Sequence, residues 1–167
     1  MINKIDTFFN KLIDKIYSEK FSTLFKIITF FGTAFFCFPF YFIFYFINKK
    51  IFFALFTIEF FNYLIVIPIR MIVKRARPMS YTFNKIYHWW NKYSFPSIHA
   101  TRCGMLFFFI YNYLRFYQLF FSILIIFIFS IIFSRLYLKY HFFSDLFFGF
   151  LLGLLNAICI YKFLFFS

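Results

Sequence analysis

Ser134-Arg-Leu-Tyr-Leu-Lys-Tyr-His141-Phe-Phe-Ser-Asp145 is the stretch that decides the fold, because it sets cations, an imidazole and a carboxylate between two apolar runs, residues 119–133 and 146–165. A helix needs roughly 20 apolar residues to cross a hydrocarbon core, so the flanking runs read as membrane spans. Ionised groups at such a boundary must face water, protein or a ligand. Arg135, His141 and Asp145 therefore mark both a span junction and a candidate site.

Working outward, residues 21–47 read as a first span, apolar apart from Lys26 and a few hydroxyls, and Asn48-Lys49-Lys50 ends it. Residues 51–69 form a second, with Glu59 near its middle and Asn62 one turn on; a buried Glu there reads as a contact between helices. A third runs over 97–114, Arg115 and Gln118 mark a tight turn, and 119–133 and 146–165 are the fourth and fifth. Gly149 and Gly153 stand at the small-xxx-small spacing that admits a close neighbouring helix. Residues 2–20 place Ile2, Ile5, Phe8, Phe9, Leu12, Ile13 and Ile16 at helical spacing with charges between, the pattern of a helix lying in the membrane interface rather than a signal peptide. The expected fold is an all-α integral membrane protein: one domain over 1–167, with an interfacial helix (1–20) and a five-span bundle (21–167).

Composition agrees. Of 167 residues, 64% are hydrophobic and 31% aromatic, which excludes an ordinary soluble domain. The formal charge is +13, and between Glu59 and Asp145 there are ten Lys or Arg and no acid. That imbalance favours an anionic partner, either lipid headgroups or a phosphate substrate. Cys37, Cys103 and Cys159 lie in or near apolar spans and suggest neither a disulfide framework nor a zinc site.

Alternating spans bring three polar segments to one membrane face: Arg70-Met-Ile-Val-Lys74-Arg75-Ala-Arg77-Pro78, Pro96-Ser97-Ile98-His99, and the opening stretch. Together they supply what phosphoryl transfer without a metal requires. Guanidinium forks match phosphate oxygens, one imidazole can attack phosphorus, and a second can protonate the leaving oxygen. His141 and Asp145, four apart, allow a carboxylate to orient the ring. Ser97 with the N–H groups of Ile98 and His99 would make an anion cradle at a helix start. By contrast, Lys26, Arg115 and Lys162 read as snorkelling anchors, and Lys74, Arg75, Lys85 and Lys139 as headgroup contacts. His88, Trp89 and Trp90 read as an interfacial belt. Arg102, one turn beyond His99, fits either role.

The three segments resemble the signature of the type 2 phosphatidic acid phosphatase superfamily, which also includes vanadium haloperoxidases: Lys, six residues, Arg-Pro; Pro-Ser-Gly-His; Ser-Arg, five residues, His, three residues, Asp. Ser134, Arg135, His141 and Asp145 match the third segment in full, while Arg70 stands for the family's Lys and Ile98 for its Gly. If position 98 needs a positive φ, Ile is a handicap; if it is helical, Ile is tolerable. The resemblance implies that His141 is the nucleophile of a phosphohistidine intermediate, Asp145 its orienting group and His99 the general acid. Arg70, Arg77, Ser97, Ile98 and Arg135 would bind phosphate, with no metal and no cofactor. It implies a lipid phosphate phosphatase acting on phosphatidate, phosphatidylglycerophosphate, undecaprenyl diphosphate or a lipid A phosphate. The alternative is a family member that binds lipid phosphates without turnover. The partners are then a membrane lipid and the bilayer, with no nucleic acid; the sequence does not address oligomeric state. A bare count of cations puts the clusters in the cytoplasm, whereas the resemblance implies a bacterial inner membrane protein whose site faces the periplasm or exterior.

Overall fold

The computed structural model describes residues 3–79 and 92–166, so His88, Trp89, Trp90 and Lys85 lie outside the described residues. The described residues form seven helices and no strand: α1 Lys4–Ile16, α2 Glu19–Phe30, α3 Ala34–Ile47, α4 Lys49–Val73, α5 Ile98–Leu114, α6 Gln118–Tyr137 and α7 Phe143–Phe166. Asn3 caps α1 by accepting from the Asp6 N–H (2.9 Å), and Asn48 caps α4 by accepting from the N–H groups of Lys50 and Ile51. α4 stops where Lys74 turns left-handed (φ 48°) and returns its N–H to the Arg70 carbonyl.

α4, α6 and α7 are each long and apolar enough to cross a membrane, and the α2–α3 pair makes a fourth if counted as one broken span. Their outer faces are apolar, with Phe35 and Ile72 each 79% exposed and Leu119 73%. A surface of this kind requires hydrocarbon around it. The protein is an integral membrane protein.

The stretch expected as the first span, 21–47, is divided into α2 and α3. It bends by 41° between α2 and α3. The break is closely packed: a β-carbon on Gly32 would lie 2.7 Å from Ile131 Cγ2 and 2.8 Å from His99 Cδ2, so the position admits glycine alone without a shift of these neighbours. The backbone groups released there find partners: Gly32 O accepts from Arg102 Nη1 (2.8 Å) and Phe30 O from Thr33 Oγ1 (2.7 Å).

α5 lies at the centre, packed chiefly against α7. The Gly149/Gly153 stripe receives the α5 backbone at Ser97 and Thr101, and Gly104 returns the fit against the backbone at Phe150. Glu59 and Arg102 pair inside the bundle (2.6 Å), where Arg102 also donates to the Tyr63 hydroxyl, and Asn156 donates to Asn62 (2.8 Å). Glu59 is thus the interhelical contact expected of it, and Arg102 takes a structural role.

Candidate active site

The three polar segments meet where α4 ends, α5 begins and α6 turns into α7. Arg70, on the last turns of α4, is buried and donates from Nε (3.0 Å) and Nη2 (2.9 Å) to the Pro96 carbonyl. Past the end of α4 the chain runs beside residues 93–97. Ser94 donates its N–H to Arg75 O (2.9 Å), and Arg77 reaches from Nη1 to Tyr140 O (2.8 Å) and to His141 Nε2 (3.2 Å).

Ser97 is the N-cap of α5, held to the first turn of α7 by its N–H on the Asp145 carbonyl (3.1 Å). Its hydroxyl is buried without a hydrogen-bond partner, and so are both ring nitrogens of His99. Buried polar atoms of native proteins are nearly always satisfied, so three such atoms beside a group of guanidiniums mark a place where a polar ligand fits. Ile98 opens α5 as a helical residue; positive φ among described non-glycine residues occurs at Lys74 and Lys139. A β-branched side chain is therefore compatible with the backbone at 98.

Arg135, near the end of α6, donates to Thr29 Oγ1 (3.1 Å) and lies over the Tyr140 ring at 4.2 Å. Ser134 turns its hydroxyl to Ile131 O (2.6 Å). His141 follows in the α6–α7 turn, 1% exposed, with Nδ1 2.8 Å from Ser94 O. A carbonyl oxygen only accepts, so Nδ1 carries the proton and Nε2 presents its lone pair. Burial pushes the His141 pKa well below its ordinary value, helped by the charges of Arg77, Arg135 and Arg70, and this keeps the ring neutral.

Asp145 is fully buried at the start of α7. Its Oδ2 accepts the Phe142 N–H (2.9 Å) and lies 3.7 Å from His141 Nδ1. The nearer acceptor for the ring is thus Ser94 O, with Asp145 bracing the turn that carries His141.

Two cations read as headgroup contacts are placed otherwise. Arg75 is set between two carboxylates, with Nη1 on Asp145 Oδ1 (2.7 Å) and Nη2 on Asp6 Oδ2 (2.5 Å). Lys139 pairs with Asp14 of α1. Asp6 also accepts from Ser144 N (2.9 Å) and Ser144 Oγ (2.8 Å). Burial raises its pKa, but the bonds from Ser144 and Arg75 outweigh this and hold the carboxyl below its usual value. Spacing could have shown Asp6, since it shares the α1 stripe with Phe9 and Ile13, an acid where an apolar residue belongs. The role of Ser94, a main-chain carbonyl, leaves no mark in residue identity.

Two solved structures share this arrangement of helices. The first transmembrane PAP2 type phosphatidylglycerolphosphate phosphatase from Bacillus subtilis superposes with a TM-score of 0.74 at 22% identity, over 95% of this chain and 83% of that one. LpxE from Aquifex aeolicus does so with a TM-score of 0.74 at 19% identity, over 92% of each chain. A comparison with curated protein sequences finds no match. At such identities the likeness carries the fold, while family membership rests on the sequence itself. Residues 51–167 match the family model described as PAP2 superfamily, and this stretch holds all three polar segments. The chain belongs to the PAP2 superfamily.

Proposed function

We propose that the protein is a lipid phosphate phosphatase that works without a metal, removing a terminal phosphate through a phosphohistidine at His141. The observation that carries this reading is the ring geometry of His141: Nδ1–H is fixed on Ser94 O, and Nε2 faces Arg77 at 3.2 Å. A phosphate entering there takes the Arg77 fork on its oxygens and lies in front of the lone pair. Nε2 then attacks phosphorus, an N–P bond forms, and the P–O bond to the lipid breaks as His99 gives its proton to the leaving oxygen. Water next attacks phosphorus with His99 taking its proton, the N–P bond breaks, and phosphate leaves with the histidine restored. Arg70, Arg77, Arg135, Ser97 and the N–H groups opening α5 stabilise the equatorial oxygens in both steps.

An apolar cavity of about 310 Å³ supports a lipid substrate. Its walls include Phe31, Phe36, Leu106, Ile128 and Ile131, and it starts beside the Gly32–Ile131–His99 contact. A hydrocarbon chain fits there while the headgroup meets the cations. Phosphatidate, phosphatidylglycerophosphate, undecaprenyl diphosphate and lipid A phosphates share this chemistry. We read α5, 17 residues long, as the fifth span beside α4, α6, α7 and the broken pair. We place the site on the periplasmic or exterior face of a bacterial inner membrane, as the family resemblance implies.

A second reading, lipid-phosphate binding without turnover, draws on Arg70, two of whose donors rest on the Pro96 carbonyl. Phosphate release from short-chain phosphatidate by purified protein, without divalent cation, separates the two. Turnover that falls by at least about 10³-fold in His141→Ala is expected. Equal release by both proteins would sink the mechanism, and binding without release would establish the second reading.

A further inference from the structure

We propose that the interfacial helix α1 belongs to the active centre, and that Asp6 is a positioning residue which acts through Arg75 on the turn holding His141 and Asp145. This rests on the reading of His141 as nucleophile. A helix that only lies on a membrane has no use for a buried acid on its inward stripe, where burial without compensation is costly. Asp6 is nonetheless 0% exposed and fully engaged. One oxygen accepts the Ser144 N–H (2.9 Å), and the other accepts Ser144 Oγ (2.8 Å) and Arg75 Nη2 (2.5 Å).

Arg75 carries the contact onward by two routes. Its side chain donates to Asp145 Oδ1 (2.7 Å) and Ser144 Oγ (2.6 Å) and stacks over the Phe142 ring at 4.3 Å, so it grips the turn on the C-terminal side of His141. Its main-chain carbonyl accepts from Ser94 N (2.9 Å) and Ser94 Oγ (3.3 Å), and Ser94 O is the acceptor that fixes the His141 tautomer. One residue thus holds both the orienting carbonyl and the neighbouring carboxylate. Asp6 is the second counter-charge that keeps the Arg75 fork spread between α1 and α7. Without it the Arg75 guanidinium is left with Asp145 as its one carboxylate among the contacts described above and draws that group out of register. Small misplacements at a nucleophile are enough to slow chemistry markedly.

The test uses the full-length protein in detergent with short-chain phosphatidate. Asp6→Asn should lower kcat about tenfold and leave KM within about twofold, because the binding guanidiniums stay in place. Arg75→Lys, which cannot bridge two carboxylates as a planar fork does, should match it. In the double variant of Asp6→Asn with Asp145→Asn, kcat should fall no further than in Asp145→Asn alone, the non-additivity of residues acting along one route. A mere anchoring role gives losses that multiply, or a lower thermal midpoint with kcat unchanged, and either result overturns the proposal. If Asp6→Asn does not fold, Arg75→Lys enters the same cycle, and additivity there is equally fatal. His141→Ala separates the two levels. Activity abolished by His141→Ala but untouched by Asp6→Asn removes only the role of Asp6. Wild-type protein without phosphate release, or His141→Ala with full release, removes the reading of the site and the positioning role with it.

Discussion

Position 98 shows how backbone geometry settles a substitution that residue identity leaves open. The family pattern has Gly between Ser and His, and a Gly is replaceable only where its φ is negative. Ile98 is the first helical residue after the Ser97 cap, so its side chain costs no strain. Ile98→Gly should leave kcat and KM within about twofold and lower stability by about 2–5 kcal/mol or more, because the Ile98 side chain is buried and its loss leaves a cavity in addition to the greater backbone entropy of Gly; kinetics and a thermal melt on one preparation check both. A large gain in turnover would mean that Ile98 does obstruct the cradle. His141 is the converse case. Its spacing to Asp145 suggested a direct pair; Asp145 Oδ2 lies 3.7 Å from Nδ1, while the nearer acceptor, Ser94 O at 2.8 Å, is a main-chain atom contributed by a different segment.

At the scale of elements, helix junctions are fixed by close approach and by charge. The α5–α7 contact is backbone on backbone, since a β-carbon on Gly153 would overlap the Thr101 carbonyl. Gly153→Leu should therefore lower the thermal midpoint in detergent by the equivalent of about 1–3 kcal/mol or more, the cost of overpacking, and should abolish turnover by shifting Ser97 and His99. The α1 junction is electrostatic as well as apolar: Phe9 stacks on Phe143 at 4.1 Å, and Asp6 binds Arg75 and Ser144. Because the Asp6 pKa is lower in the folded protein than its ordinary value of 3.8, its stabilisation is complete above pH 3.8 and is lost as pH falls through the folded value. Melts recorded from pH 6 downward should show that loss in the wild type and a weaker dependence in Asp6→Asn. Identical curves would remove Asp6 from the accounting.

For the whole molecule, the bundle separates a charged end from an apolar remainder. α4 begins at Lys49 and ends near Arg70, and α6 ends beside Lys139, so Lys49 and Lys139 lie at opposite ends. With Cys37 and Cys103 buried and the exposed Cys159 replaced by Ser, single cysteines at the two positions report orientation. An impermeant thiol reagent outside intact cells should label Lys139→Cys and spare Lys49→Cys. The reverse pattern would turn the site to the cytoplasm.

Hydropathy, the ordered motifs and the glycine spacing determined the helical membrane fold class, the convergence of three segments and a close helix contact at Gly149 and Gly153, because each depends on local periodicity or on residue type at a fixed interval; that α5 is the partner was for the tertiary structure to decide. Glu59 was legible for the same reason, an acid in an apolar span being too costly to leave unpaired. The break at Gly32, the engagement of Arg75 by Asp6 and Asp145, and the tautomer of His141 were decided by tertiary structure alone. Each joins residues from distant segments, and two of them turn on main-chain carbonyls, which every residue possesses and no sequence pattern can single out.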